Sequence, residues 1–533
     1  MLHKVNIGTS DIVGGGGGDA AAMSSAPLPR HEPPPLAAVE EHVQRIRLEV
    51  TGQRRPPSGY ASRVVIPPTT AGLARVAALV HLLDQVRYWA VEEASTFIEE
   101  PSGLAETEAP EAVVACLCSQ RPQLMAQALR AVQPMLAHRQ TAAELRRVMG
   151  DVWAGRGHVA TAAPPLPDGC DPLLATLAEV LQRHRGAVPL LVEALSCAAA
   201  VLTQARAAHA AGDLNGHAVD DDDTERRHRR HLASVMVALH ETLLVHEVEA
   251  AMRRHPDATA LQVEGVAFFA ALVSVPWTDE AADDAGAAPA SLADVVADSD
   301  GVLDVLQAAL HGHRQHLCVR RGVLHVWRAC AQQPYNRVAL LRHGAYGGAL
   351  QLLREVGPYA VDVWREVAET VGYLIPCLDA LQRRSLALAL RDLLRRRPQL
   401  EMLELVLALL LSLLTVVAGG RNHTTGGGGG AYALYASVPQ PPVSSSARGP
   451  RSGHTALHLS PLQWHPSTDR HGQHGAAAAA DGDAWLFLLE RCAMPQLVSG
   501  LLAYLSRCEA VDADDAADMD RVCRLAEAAL AFF

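Results

Sequence analysis

Chemistry in this chain would have to come from a few residue groups, and each lacks a companion that its chemistry needs. The densest histidine group is His311-Gly-His313-Arg-Gln-His316. Zinc held on one helix face asks for ligands four residues apart with a third donor nearby. The spacing here is two and three, arginines surround it, and a polar helix junction is the reading expected instead of a metal. Cys116-Leu-Cys118 is too tight for a CxxC pair, and no second pair follows at zinc-finger spacing. Gly14–Gly18 is not followed by Gly-Lys-Ser/Thr, which excludes a phosphate-cradling loop. Lys4 is the only lysine among 46 basic residues, so Schiff-base chemistry beyond that position is unavailable. There is no Gly-x-Ser-x-Gly elbow and no kinase motif set. No catalytic residue, cofactor or metal is therefore expected.

The elements around these groups are expected to be helical. Of 533 residues 49% are apolar but only 4% aromatic, and Ala and Leu, the strongest helix formers, dominate. An all-α fold follows. The net charge of −12 argues against nucleic acid, whose phosphates require a basic face. Ten scattered cysteines and no cleavable leader at Met1–Gly18 suggest reduced thiols and a cytoplasmic setting, with cytoskeletal or nuclear association also open.

Glycine and proline divide the chain. Gly14–Gly18, Pro33–Pro35, Pro56-Pro57 and Pro67-Pro68 predict a disordered tail over 1–70, with one short amphipathic helix at Leu36–Val50. Helical periodicity starts near Ala71, with Leu73, Val76, Ala77, Val80, Leu83 and Val86 on one face. Pro101 and Pro110 bracket a loop, and Glu111–Leu136 is a helix pair broken at Arg121-Pro122. Thr141-Ala-Ala-Glu144 has capping-box spacing, and Asp171-Pro172 is a strong helix start. Loops are expected near 155–169, 209–230 and 277–290, with Leu232–Val275 as two helices joined at His255-Pro256-Asp257. Two more helices meet at Arg397-Pro398. Residues 419–484 are low in complexity and expected to be a disordered loop, after which 485–533 returns to helix. Leu405–Gly420 is uncharged over 16 residues, short of the roughly 20 needed to span a bilayer, and predicts a helix buried all round.

Three phrases carry a family resemblance. Arg185-Gly-Ala-Val-Pro-Leu-Leu-Val-Glu-Ala-Leu195 and Asn336-Arg-Val-Ala-Leu-Leu-Arg-His-Gly-Ala-Tyr346 resemble the armadillo signature, in which a Gly-Ala turn separates helices. Cys492-Ala-Met-Pro495 is a weaker echo. Gly265 and Gly322, in similar helical phrases, lie 57 residues apart, and the Trp277–Ala290 insertion accounts for the excess over about 40–47 for this repeat class. The resemblance implies a right-handed α-solenoid whose third helices line a concave surface. Trp327, Arg328, Trp364 and Arg365 would then be candidates for a protein-binding groove, since Trp and Arg are enriched at interface hot spots. The competing role for these residues is packing between repeats. Family members that clasp extended peptides use an Asn and Trp ladder that this chain lacks. Its four asparagines are Asn6, Asn215, Asn336 and Asn422, and Ala331 and Ala368 follow the two tryptophans at the paired position.

The expected protein is an armadillo-like solenoid over 71–418, closed by helices in 485–533, with a disordered tail and low-complexity insertions. Its expected function is that of a non-enzymatic scaffold or adaptor for protein partners, with neither nucleic acid nor a membrane span. A helical factor that clamps an ATPase is the alternative, and an enzyme in an unusual helical fold the third.

Overall fold

A computed structural model describes residues 80–91, 103–119, 121–157, 166, 168–214, 222–277, 290–355, 361–396, 399–422, 487, 492–505 and 513–532. The expectations for 1–70, for Leu36–Val50 and for most of 419–484 lie outside these residues. What is described is all-α apart from a two-residue antiparallel ribbon, Pro276–Trp277 against Ala290–Ser291, at the base of the 277–290 insertion.

The helices are α1 (80–91), α2 (Gly103–Glu106), α3 (Ala109–Leu117), α4 (Pro122–Met135), α5 (Arg139–Gly157), α6 (Pro172–Arg183) and α7 (Val188–Leu214). Then come α8 (Asp222–Glu241), α9 (Leu244–Arg254), α10 (Thr259–Val273), α11 (Ala293–Asp298), α12 (Asp300–Gly312) and α13 (Leu317–Gln332). The rest are α14 (Asn336–Arg342), α15 (Ala345–Glu355), α16 (Val361–Leu374), α17 (Ala380–Arg396), α18 (Leu400–Asn422), α19 (Met494–Leu505) and α20 (Ala513–Leu530).

They pack in two rows. In the first row α6, α9, α12, α15, α17 and α19 each touch the next; in the second, α4, α7, α10, α13, α16, α18 and α20 do the same. Each first-row helix also packs on the second-row helix that follows it in the chain. The short helices α11 and α14 precede α12 and α15 and touch each other, so the middle of the chain has three helices per layer.

Two junctions recur. At the turn from first to second row, His184, His255 and His313 occupy the same place: each backbone N–H closes the preceding helix, and each carbonyl accepts from the N–H three residues on. Two of these imidazoles also reach the preceding layer's turn, His255 Nε2 to the Arg185 carbonyl at 2.8 Å and His313 Nε2 to the Pro256 carbonyl at 2.7 Å. The His311–His316 group is thus part of a helix junction. The second junction enters a first-row helix through a left-handed residue: Leu243 (φ 54°), Gly344 (φ 79°) and Ala493 (φ 49°) stand immediately before α9, α15 and α19.

Several sequence expectations need correction. Gly186-Ala187 and Gly344-Ala345 are not equivalent: the first lies at a first-to-second-row turn, the second at a first-row entry. Leu232–Val275 contains three helices, because the left-handed Leu243 breaks the chain where no Gly or Pro marks it. The described part of 209–230 is helical, since the Ala-rich end of α7 continues to Leu214 and α8 begins at Asp222. Likewise α5 extends through 155–157 and α18 through 419–422. Pro110 opens α3 rather than closing a loop, a place where its missing N–H is harmless. Thr141 is fully buried inside α5, not an N-cap.

Asp171 is an N-cap as expected, and more. Its Oδ1 accepts from the N–H groups of Leu173 (2.9 Å) and Leu174 (3.1 Å), while Oδ2 pairs with Arg146 Nε at 2.9 Å. Arg146 Nη2 continues to Gln204 Oε1 at 2.8 Å, and Gln204 Nε2 donates to the Leu136 carbonyl at 3.0 Å. The Asp171 N–H donates to the Ser234 carbonyl at 3.0 Å. One buried carboxylate therefore ties α5, α6, α7 and α8 together.

Replacing Asp171 by Ala leaves a mostly buried guanidinium without its counter-ion, and is expected to destabilise the fold by about 3 kcal/mol. Leu243→Gly removes left-handed strain at an exposed position and is expected to stabilise by up to about 1 kcal/mol, with Gly344→Ala costing about as much. Urea denaturation followed by circular dichroism measures all three.

Candidate protein-binding surface

The four groove candidates separate. Trp327 and Trp364 are each 1% exposed and are among the largest fully buried side chains of the core. Trp327 lies so close to Gly348 of α15 that a Cβ there would collide with its ring. Neither indole offers surface to a partner, so packing between layers is their role here. The reason is steric: at Val326-Trp327 and Val363-Trp364 the α13 and α16 faces turn inward, and the arginine one residue later turns outward. Arg365 is exposed, and Arg328 is half-buried with Nη1 donating to Glu369 Oε2 of α16 at 2.8 Å.

Arg328 belongs to a chain of polar contacts that crosses the second row. Arg130 of α4 donates to Glu193 of α7 at 2.6 Å. Gln133 Nε2 donates to Ser196 Oγ at 3.0 Å, and Ser196 bonds Glu264 of α10. Further along, Ser274, just past α10, meets His325 Nε2 of α13 at 2.8 Å, and Arg328 Nη2 reaches His325 Nδ1 at 3.3 Å. Five successive helices, α4, α7, α10, α13 and α16, thus share a polar face. Sequence inspection missed this because partners lie 41 to 68 residues apart and only the layer stacking aligns them.

Ser274 and His325 are the pair that most resembles a nucleophile and its base. Their directions are wrong for that chemistry. The Ser274 hydroxyl already donates to the Ala270 carbonyl at 2.8 Å, and Arg328 donates to His325 Nδ1, so His325 offers Ser274 its N–H and no lone pair. A Ser–His base needs the reverse. The thiols are equally quiet: burial pushes Cys170 up to about 12 and raises Cys116, Cys197 and Cys330 further. None of the nine described cysteines is in a disulfide, and among the described residues no group of three or more metal-ligating side chains converges.

Two groups within this face are shifted from their ordinary titration. Burial, then repulsion by Glu193, raises the Glu264 carboxyl, while the Ser196 hydrogen bond partly opposes this. Burial, then Arg328 and Arg206, pushes the His325 imidazole below its ordinary value.

No protein-family model and no curated protein matches the chain. Among solved structures, the crystal structure of an engineered protein is similar at 15% identity with a TM-score of 0.34, over 56% of this chain and 98% of that one. A likeness that loose assigns no fold.

As pH falls, the unfolded chain takes up a proton at position 325 before the folded chain does. The contribution of His325 is therefore present above about pH 6.5 and lost below it. Denaturation midpoints against pH are expected to fall on acidification less steeply in His325→Gln than in the parent, with His184, also depressed by burial and Arg183, contributing slope of the same sign. Trp327→Ala is expected to cost about 3–5 kcal/mol in stability, as a core truncation does.

Proposed function

We propose that the two stacked rows form a right-handed α-solenoid of armadillo type and that the protein is a non-enzymatic scaffold or adaptor. Its partner is another protein, bound along the second row. The observation that carries this reading is the polar face shared by α4, α7, α10, α13 and α16. A row of half-exposed, mutually oriented polar groups is pre-organised, so a partner ordering itself there meets side chains that have already lost much of their rotamer freedom. Nine described cysteines outside any disulfide support a reducing, cytoplasmic setting. The net charge of −12 speaks against nucleic acid.

Among the described residues, two helices are long and apolar enough to cross a bilayer: Val188–Ala207 in α7 and Leu400–Val417 in α18, with mean hydropathy 1.6 and 2.3. We read both as core helices, because half of the first and 56% of the second is buried against other helices. Both also stand in the second row, between neighbours on either side.

The test is affinity capture with the full chain, followed by obstruction of one row at a time. Thr203 and Gln332 are exposed on the second row, and Ala308 is exposed on the first. A stoichiometric partner is expected to be lost with Thr203→Trp or Gln332→Trp and retained with Ala308→Trp. Retention by all three variants would move the binding site off the second row.

A further inference from the structure

Among the described residues, the second-row face carries two charges of opposite sign that make no ion pair. Glu264, half-buried on α10, accepts the Ser196 hydrogen bond and lies near Glu193, which itself holds Arg130. Arg206, exposed on α7, makes no ion pair with the described residues, and it lies close enough to His325 to act on it electrostatically across α10. Ser196 and Arg206 are ten residues apart on α7, as are Glu264 and Ser274 on α10. At 1.5 Å per residue the acidic and basic ends are separated by about 15 Å along the helix axes.

Between them the α10 surface is nearly featureless. Ala267, Ala270 and Ala271 are its half-buried residues, and no side chain there is long enough to bridge the two charges. Charged groups near the basic end are accounted for: Arg328 is held by Glu369, and His325 is hydrogen-bonded to Ser274 and Arg328. That leaves Arg206 as a guanidinium facing a partner site, and Glu264 as a carboxylate whose Coulomb surroundings, through Glu193, are repulsive.

We propose that the α7–α10 face is a charge-coded docking site for an extended segment of another protein, which sets a basic side chain against Glu264 and an acidic one against Arg206. At about 3.3 Å per residue, a 15 Å separation corresponds to side chains about five residues apart in an extended chain. The alanine floor lets the intervening backbone approach closely. This inference rests on the second row being the partner surface and adds which sequences that surface selects.

The probe is a set of short N-acetylated, fluorescein-labelled peptides on an Ala/Ser background, read by anisotropy against the full chain. One carries Lys and Glu about five residues apart; others carry Lys/Lys, Glu/Glu or neither at those places. The Lys/Glu peptide is expected to bind the parent best. Glu264→Lys should switch the preference to Glu/Glu and Arg206→Glu to Lys/Lys, each by at least about tenfold, with unchanged circular dichroism. Equal binding of all four peptides by parent and variants, or no saturation with any of them by about 1 mM, would overturn the proposal. If Thr203→Trp still removed a captured partner while the charge reversals did not weaken it, the charge code would fail and the second-row reading would stand.

Discussion

Each interior helix of the second row, from α7 to α18, is pressed from both sides by its neighbours in the row and from a third by the first row, and this is the constraint on which the structure depends. A helix so placed has little room for charge. α10 buries Leu261, Val266, Phe268, Phe269, Leu272 and Val273, with Phe268 and Phe269 packed edge to face at 5.4 Å. α18 buries nine residues between Leu403 and Val417 and has no charged residue between Glu404 and Arg421. A layer removed from the stack would expose such faces to water at roughly 25 cal/mol per Å². The layers therefore depend on one another to keep their apolar faces from water.

Close packing also explains the glycines that sequence inspection could see but not interpret. Gly265 lies against the Met252 side chain, and Gly322 against Val266 of the neighbouring second-row helix. Each lets a helix come nearer than a methyl group would permit. The polar contacts then work within a spacing that apolar packing has set: Arg130 reaches Glu193, and Arg328 reaches Glu369, only because their helices are adjacent in the row.

The sequence made local punctuation legible and long-range pairing illegible. Asp171-Pro172 and Arg121-Pro122 start helices where side-chain chemistry says they should, because a cap or a proline acts within one turn, while Arg397-Pro398 lies outside the described residues. Leu243 and Ala493 are the opposite case. Both are ordinary L-residues held at positive φ by the fold around them, with no composition signal to announce it. The buried tryptophans are a further lesson: residue type suggested a binding hot spot, but only the facing direction of α13 and α16 decides between core and surface. Ser196–Glu264 and Ser274–His325 required the stack itself to be found.

The stack has two edges, and each carries polar ties between layers. On one, His255 and His313 stitch each layer's turn to the carbonyl of the layer before. On the other, layers are entered through single left-handed residues, and beside Gly344 the chain is tied as well: His343 Nδ1 meets Asp304 Oδ1 of α12 at 2.7 Å, and Gln307 of α12 lies against the glycine. At its far end α15 meets the same layer again, through Glu355 Oε1 and Arg314 Nη1 at 3.2 Å. These two layers are clamped at both edges, so sliding one past the other breaks a polar contact at each end of α15.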